Sequence, residues 1–246
     1  MAVGAVLSLL YVFHARIDPM PIIRLSLLRI ATFRTAVGGG SLYRLGVGSY
    51  TFLLPMMLQL GFGYTPLQSG LTTFAGAVGA LAMKTIAPRV TRRCGFRRLL
   101  VANTFVCSAA LIAIGWIRPG TPYLLTISLL LVGGFLRSLQ FTCINAMAYA
   151  DIDEPSMSQA TSFSSTAQQL ALSVGVGVGS QLLNASRAIR HAQNVEVTDF
   201  TVAFCVVALV SLLPVLSFRR LAHDAGSSVS GHRLALANEP TTPAPQ

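Results

Sequence analysis

The sequence predicts an all-α integral membrane protein: one six-helix bundle preceded by part of a further helix. Three observations predict it. Hydrophobic residues make up 53% of the chain and charged residues only 11%, with a mean hydropathy of +0.64. Residues 36–218 form a succession of long apolar stretches, and about 20 such residues cross a hydrocarbon core about 30 Å thick. The short connections between those stretches alternate between basic-rich and basic-poor. In lipid only a helix or a closed barrel satisfies every backbone group. Barrel strands alternate in and out over about ten residues, and these stretches run longer without that alternation, so helices are the reading.

Met1–Phe13 is apolar but half a span long. It reads either as the exit end of a truncated transmembrane helix or as a short surface or signal-like segment, although no basic region precedes it. Residues 14–35 carry Arg16, Arg24, Arg29 and Arg34 between apolar residues at three- and four-residue spacing. That pattern suits a cytoplasmic linker lying in the interface, with Ile22, Ile23, Leu25, Leu27, Leu28, Ile30 and Phe33 toward lipid and the arginines snorkelling outward. Pro19 and Pro21 would precede or interrupt such a helix. Six full spans follow at roughly 36–59, 67–87, 99–117, 121–146, 162–184 and 199–218. The bundle is thus expected over 36–220. The tail 221–246 turns to Ser, Gly, Thr and Pro and is expected to be a disordered cytoplasmic segment.

Basic residues orient the bundle. Six lie between the second and third spans (Lys84, Arg89, Arg92, Arg93, Arg97, Arg98), four in the linker and three after the last span (Arg219, Arg220, Arg233). These thirteen share one side, against Arg118, Arg187 and Arg190 on the other. The positive-inside rule then puts both ends of the six-span core in the cytoplasm of a cell inner (plasma) membrane protein. The loop at 148–160 should be cytoplasmic too, yet it offers only Asp151, Asp153 and Glu154. Acidic residues carry little weight in that rule.

The net charge of +10 reads as topology and anionic-lipid contact. Nucleic-acid binding would want a contiguous basic face with groove-reading partners, and none is visible. The cysteines Cys94, Cys107, Cys143 and Cys205 are scattered, three of them within spans, and suit buried small hydrophobes better than disulfides. The histidines lie outside the full spans and far apart. With no metal-ligand spacing, no nucleophile and no acid–base pair, neither an enzyme nor a bound metal or cofactor is expected.

Polar and small residues inside the spans carry the functional argument. Arg137 and Gln140, three apart in the fourth span, share a helix face. A mid-membrane arginine is costly unless it faces a protein interior or a water-filled cavity, or snorkels to the headgroups. Arg44 in the first span poses the same choice, and Gln169 in the fifth suits packing, gating or ligand contact. These four are the candidate substrate-cavity residues. Gly76 with Gly79, and Gly175 with Gly179, fall at helical spacing on single faces. Small residues there permit close helix packing, or thin faces on which helices slide or hinge. All eight acidic residues sit in loops, span ends or the tail. A proton-coupled pump normally uses an ionisable membrane group, and arginine cannot serve as that switch.

Three stretches resemble the C-terminal half of a major facilitator superfamily transporter, of the fourteen-helix drug:proton antiporter group (EmrB/QacA-like). The linker and first span, followed by FLLPMMLQLGFGYTPLQSGL at 52–71, resemble a family helix that ends in Pro and an apolar-Gln pair. There Gly61, Gly63, Pro66, Gln68 and Gly70 form the outer turn. GALAMKTIAPRVTRRCGFRRLL at 79–100 resembles the second-half copy of the cytoplasmic loop motif Gly-x-Leu-x-Asp-Arg-x-Gly-Arg. ATSFSSTAQQLALSVGVGVGSQLL at 160–183 is similar to the penultimate helix, which packs near the central cavity. In the loop motif Pro88 replaces the leading Gly and Arg92 the Asp, Arg93 and Gly95 match, and Arg97 lies one place beyond the final basic residue.

The resemblance covers roughly residues 1–220. It implies that 1–13 is the remainder of an eighth helix, that Arg93 and Gly95 belong to a cytoplasmic gate, and that the missing Asp weakens its latch. It also implies transport of small molecules by two bundles rocking around a central cavity, coupled to protons through acids on an N-terminal bundle without counterpart here. The expected partners are membrane lipids, a small-molecule substrate, protons and a separate N-terminal half. The other reading is a non-transporting remnant, or an accessory half that needs such a partner.

Overall fold

The computed structural model describes residues 25–221, with side chains described at all of them except 25, 87–89 and 92–94. The truncated helix at 1–13, the first part of the linker, and the tail after Leu221 lie outside the described residues. A 3₁₀ turn, Leu25–Arg29, leads into α1, Ala31–Met56, which closes on a π-helical turn at Met57–Gly61. Then come α2 (Pro66–Cys94), α3 (Phe96–Gly115), α4 (Tyr123–Tyr149), a 3₁₀ turn at Glu154–Ser156 and α5 (Met157–Ile189). The sixth span is α6 (Val197–Val210), continued after a turn by the short α7 (Pro214–Arg219). The result is an all-α, six-helix membrane-spanning bundle.

Local chemistry sets the helix ends. Thr65 caps α2 with a reciprocal pair: the Gln68 N–H donates to Thr65 Oγ1 at 3.3 Å, and the Thr65 N–H to Gln68 Oε1 at 3.0 Å. Pro66 occupies the first helical position, where its missing N–H costs nothing. Pro55 inside α1 removes one backbone donor, and the helix widens into its π turn just beyond. Pro214 ends the turn that breaks the sixth span.

Two differences from the expected spans have physical causes. α1 begins at Ala31, and both Leu27 and Phe33 are buried in the inner cluster with Phe96, Met147 and Phe218. They serve the bundle core rather than a lipid face. α2 runs to Cys94, so most of the segment expected as a basic loop is helix. Gly95 alone joins α2 to α3, at φ +70° and ψ 157°. Only glycine adopts that conformation without strain.

Three helices are apolar and long enough on composition alone to cross a membrane: Phe96–Gly115, Tyr123–Tyr149 and Val197–Arg219. The other three, α1, α2 and α5, are rich in Gly, Ser and Thr, and they make the closest approaches. A Cβ on Gly48 would overlap the Leu172 carbonyl oxygen, and one on Gly175 that of Leu45, while Ser49 Oγ donates to the Gly175 carbonyl at 2.7 Å. At the α2–α4 seam a Cβ on Gly79 would overlap the Leu131 carbonyl and one on Gly134 that of Gly76. Ser138 Oγ donates to the Ala80 carbonyl there at 3.0 Å. Gly179 packs on Ser49, with 3.3 Å from its added Cβ to the Ser49 Cα.

The packing has an internal symmetry that the sequence barely displays. α1 pairs with α5 and α4 with α2, while α3 and α6 pack together and on α4 and α1 respectively. Exchanging helices 1–3 with helices 4–6 leaves this pattern unchanged, as expected for repeats of inverted topology.

Candidate functional site

α1 and α4 cross at the centre of the bundle, and each carries one arginine near its midpoint. Arg44 is 2% exposed. Helical side chains lean toward the N-terminus of their own helix, and Arg44 does so along Gly40, whose added Cβ would lie 2.7 Å from Nη1. Its Nη2 donates to Asn145 Oδ1 at 2.7 Å, and the guanidinium carbon lies 5.0 Å from the centre of the Phe141 ring. Nε is buried without a partner. The arginine is thus sealed between the helices, where it ties α1 to α4 rather than facing open space.

Arg137 differs. Its guanidinium carbon lies 3.8 Å from the Tyr50 ring centre, and no hydrogen bond or ion pair holds its N–H groups among the described residues. It borders a cleft of about 30 Å³ between α1, α3, α4 and the turn after α6. The walls include Tyr43, Val47, Tyr50, Leu111 and Ile114, and Ser211 reaches the same space. Ser211 is 2% exposed and its Oγ has no partner. Gly46 opposite makes room for it, since a Cβ there would overlap the hydroxyl.

Gln140 does not join Arg137 in this cleft. It is fully buried against α3, where Nε2 donates to Thr104 Oγ1 at 2.9 Å and to the Leu100 carbonyl at 3.2 Å. Asn103 Nδ2 donates to Gln140 Oε1 at 2.8 Å and to the Leu136 carbonyl at 2.9 Å. The three-residue spacing leaves Gln140 and Arg137 about 60° apart around the helix, enough to turn one toward α3 and the other toward α1. No hydrogen bond joins any two of Arg44, Arg137, Gln140 and Gln169.

Gln169 is exposed on α5, in a stripe with Ser158, Ser162, Ser165 and Ser173, all exposed. These residues recur at three- and four-residue intervals along one face of a helix about 50 Å long. A polar stripe at membrane depth calls for water or protein against it. Gly95 is buried at the α2–α3 junction, donating its N–H to the Thr91 carbonyl at 3.0 Å. The side chain of Arg93 lies outside the described residues.

By position in the sequence Asp199 is a span-end acid, yet it is fully buried. Arg190 grips it through Nε at 2.9 Å and through Nη2, Ser186 Oγ donates to it at 2.6 Å, and the Glu196 N–H donates at 2.9 Å. Arg190 Nη1 also pairs with Glu196 at 3.0 Å. Hydrogen bonding to Asp199, with a further contribution from Glu196, raises the Arg190 pKa above the ordinary arginine value. The signal was present in the four-residue spacing of Ser186 and Arg190 and the three-residue spacing of Glu196 and Asp199. The cluster closes the α5–α6 turn.

Comparison with known proteins gives the family. The model described as Major Facilitator Superfamily matches residues 36–237. This chain belongs to that superfamily. Its relatives include proteins named "Putative multidrug resistance protein MdtD". The one from Klebsiella pneumoniae is 31% identical over 231 residues, which make up 93% of this chain and 49% of the relative. That from Escherichia coli is 30% identical over 238 residues, 94% of this chain and 49% of the relative. The chain therefore spans about half the length of the curated relatives it matches. Major facilitator proteins are multi-pass membrane transporters rather than catalysts.

Proposed function

We propose that this chain is the C-terminal bundle of a fourteen-helix major facilitator exporter, moving amphiphilic small molecules outward by alternating access with proton influx. The polar stripe on α5 carries the reading. Ser162, Ser165, Gln169 and Ser173 are exposed along a membrane-spanning helix, and nothing among the described residues covers them. A second bundle enclosing an aqueous path would satisfy them, and the half-length match to the relatives leaves room for one. Gln169 then belongs to the wall of the path between the bundles and Arg137 to a cleft within this bundle, while Arg44 and Gln140 hold α1, α3 and α4 together. Gly76, Gly79, Gly175 and Gly179 lie on the seams that keep this bundle rigid as it rocks. Gly95, with Arg93 beside it, forms the cytoplasmic gate at a one-residue junction, and both ends of the six-span core face the cytoplasm.

A partner-dependent half is the second reading. It is favoured by the lack of any Asp or Glu in the middle of the described spans, because proton coupling then needs acids from elsewhere. The test compares cells producing this chain alone with cells producing it together with an N-terminal bundle, following efflux of fluorescent lipophilic probes with and without a protonophore. Protonophore-sensitive efflux only when both bundles are present is the expected result. Efflux that ignores the protonophore would remove proton coupling, and no efflux from the two-bundle protein would sink the exporter reading.

A further inference from the structure

Arg137 is the one described cation at mid-membrane with neither a hydrogen bond nor a carboxylate, whereas Arg44 has Asn145. Tyr50 covers one face of the guanidinium. Stacking of that kind leaves the in-plane N–H groups available, and those are the donors that grip a carboxylate two at a time. Ser211 supplies an independent observation: its hydroxyl is buried, unpartnered and borders the same cleft. Two donors without acceptors thus meet around a space of about 30 Å³, enough for a small polar head group but not for a drug-sized molecule. The remaining walls, Tyr43, Leu111 and Ile114 among them, are apolar or aromatic, which suits the first carbons next to such a head group.

We infer that this cleft recognises the carboxylate of an amphiphilic organic anion, with Arg137 and Ser211 donating to the head, the apolar walls flanking the first carbons, and the rest of the tail lying outside the cleft. The inference rests on the exporter reading and deepens it: the substrates of this bundle are lipophilic carboxylates rather than lipophilic cations. Charge complementarity selects them, because a cation in the cleft would meet an uncompensated guanidinium in a low-dielectric setting.

The test uses the full chain in lipid nanodiscs and equilibrium binding of radiolabelled octanoate, competed by octanol and by octyltrimethylammonium. Octanoate is expected to bind saturably and to be displaced weakly by octanol and least by the cation. Arg137→Gln should weaken octanoate binding by about tenfold or more, as loss of a charged hydrogen-bond pair implies, and weaken octanol binding by a much smaller factor. Arg137→Lys keeps the charge and should keep the preference for the anion, and Ser211→Ala should weaken octanoate binding by a smaller factor than Arg137→Gln does. Equal affinity for all three probes in the wild-type chain overturns the inference whether or not any variant folds, as does octanoate binding that is indifferent to Arg137→Gln. The exporter reading is judged separately: protonophore-sensitive efflux of cationic probes from the two-bundle protein would leave it standing while this inference failed.

Discussion

Arg44 and Arg137 stand at matching places in two helices that the bundle's internal symmetry exchanges. Arg44 comes thirteen residues after the start of α1 at Ala31, and Arg137 fourteen after the start of α4 at Tyr123. Each leans across to an aromatic ring of the other helix, Phe141 for Arg44 and Tyr50 for Arg137. Their surroundings then diverge. Gly40 opens a groove that buries Arg44 and brings it to Asn145, whereas Arg137 borders a cleft and finds no acceptor among the described residues. Each arginine has a glycine four residues earlier, Gly40 and Gly133, so the acceptor Asn145 is what separates a structural tie from a guanidinium left without one. Residue type and depth are the same at both sites, so neither one alone assigns a role to a membrane arginine.

Breaking the tie is the largest expected effect. Asn145→Leu removes the acceptor while Arg44 stays buried, and should cost about 2–3 kcal/mol of stability. Unfolding of the chain by sodium dodecyl sulfate in mixed micelles measures it, and an unmoved midpoint would show that Arg44 does not depend on Asn145. Gly40→Val fills the groove against Arg44 Nη1 and the Ile144 side chain, with an expected loss of about 1–3 kcal/mol. Adding Arg44→Met should recover part of that loss, since neighbouring substitutions couple. If the two changes simply add, Gly40 is not there to seat the arginine.

At the other site the stability effects shrink. Arg137→Gln breaks no hydrogen bond, loses the stacking contact on Tyr50 and removes an uncompensated membrane charge, so the midpoint should stay within about 1 kcal/mol of wild type. A loss as large as that of Asn145→Leu would erase the distinction between the two arginines. Ser211→Ala, which deletes an unpartnered hydroxyl, should change stability by less than about 0.5 kcal/mol, measurable as a small shift in thermal unfolding in detergent.

How much of this was legible in the sequence varied by residue. The six spans were, because hydrocarbon demands long apolar runs whatever packs against them. The cap at Thr65 could be read from Thr-Pro-Leu-Gln, a local signature. The roles of Gln140 and Asp199 were not. Gln140 turned to α3 because Asn103 and Thr104 wait there, and their nearness to it depends on helix packing. Asp199 looked like a span-end acid until Arg190 and Ser186 closed around it. The internal symmetry was barely visible as well, since it resides in which helices touch and left in the residues little beyond the matching pairs Gly40–Arg44 and Gly133–Arg137.

By itself the sequence determined a membrane bundle of six helices, the sidedness bias of its basic residues and the presence of two deep arginines. Each of these follows from composition and spacing acting against a uniform solvent, the lipid. Only the tertiary structure decided which arginine is tied down and which borders a cleft, because burial and hydrogen bonding depend on residues about one hundred positions away that the fold brings within 3 Å.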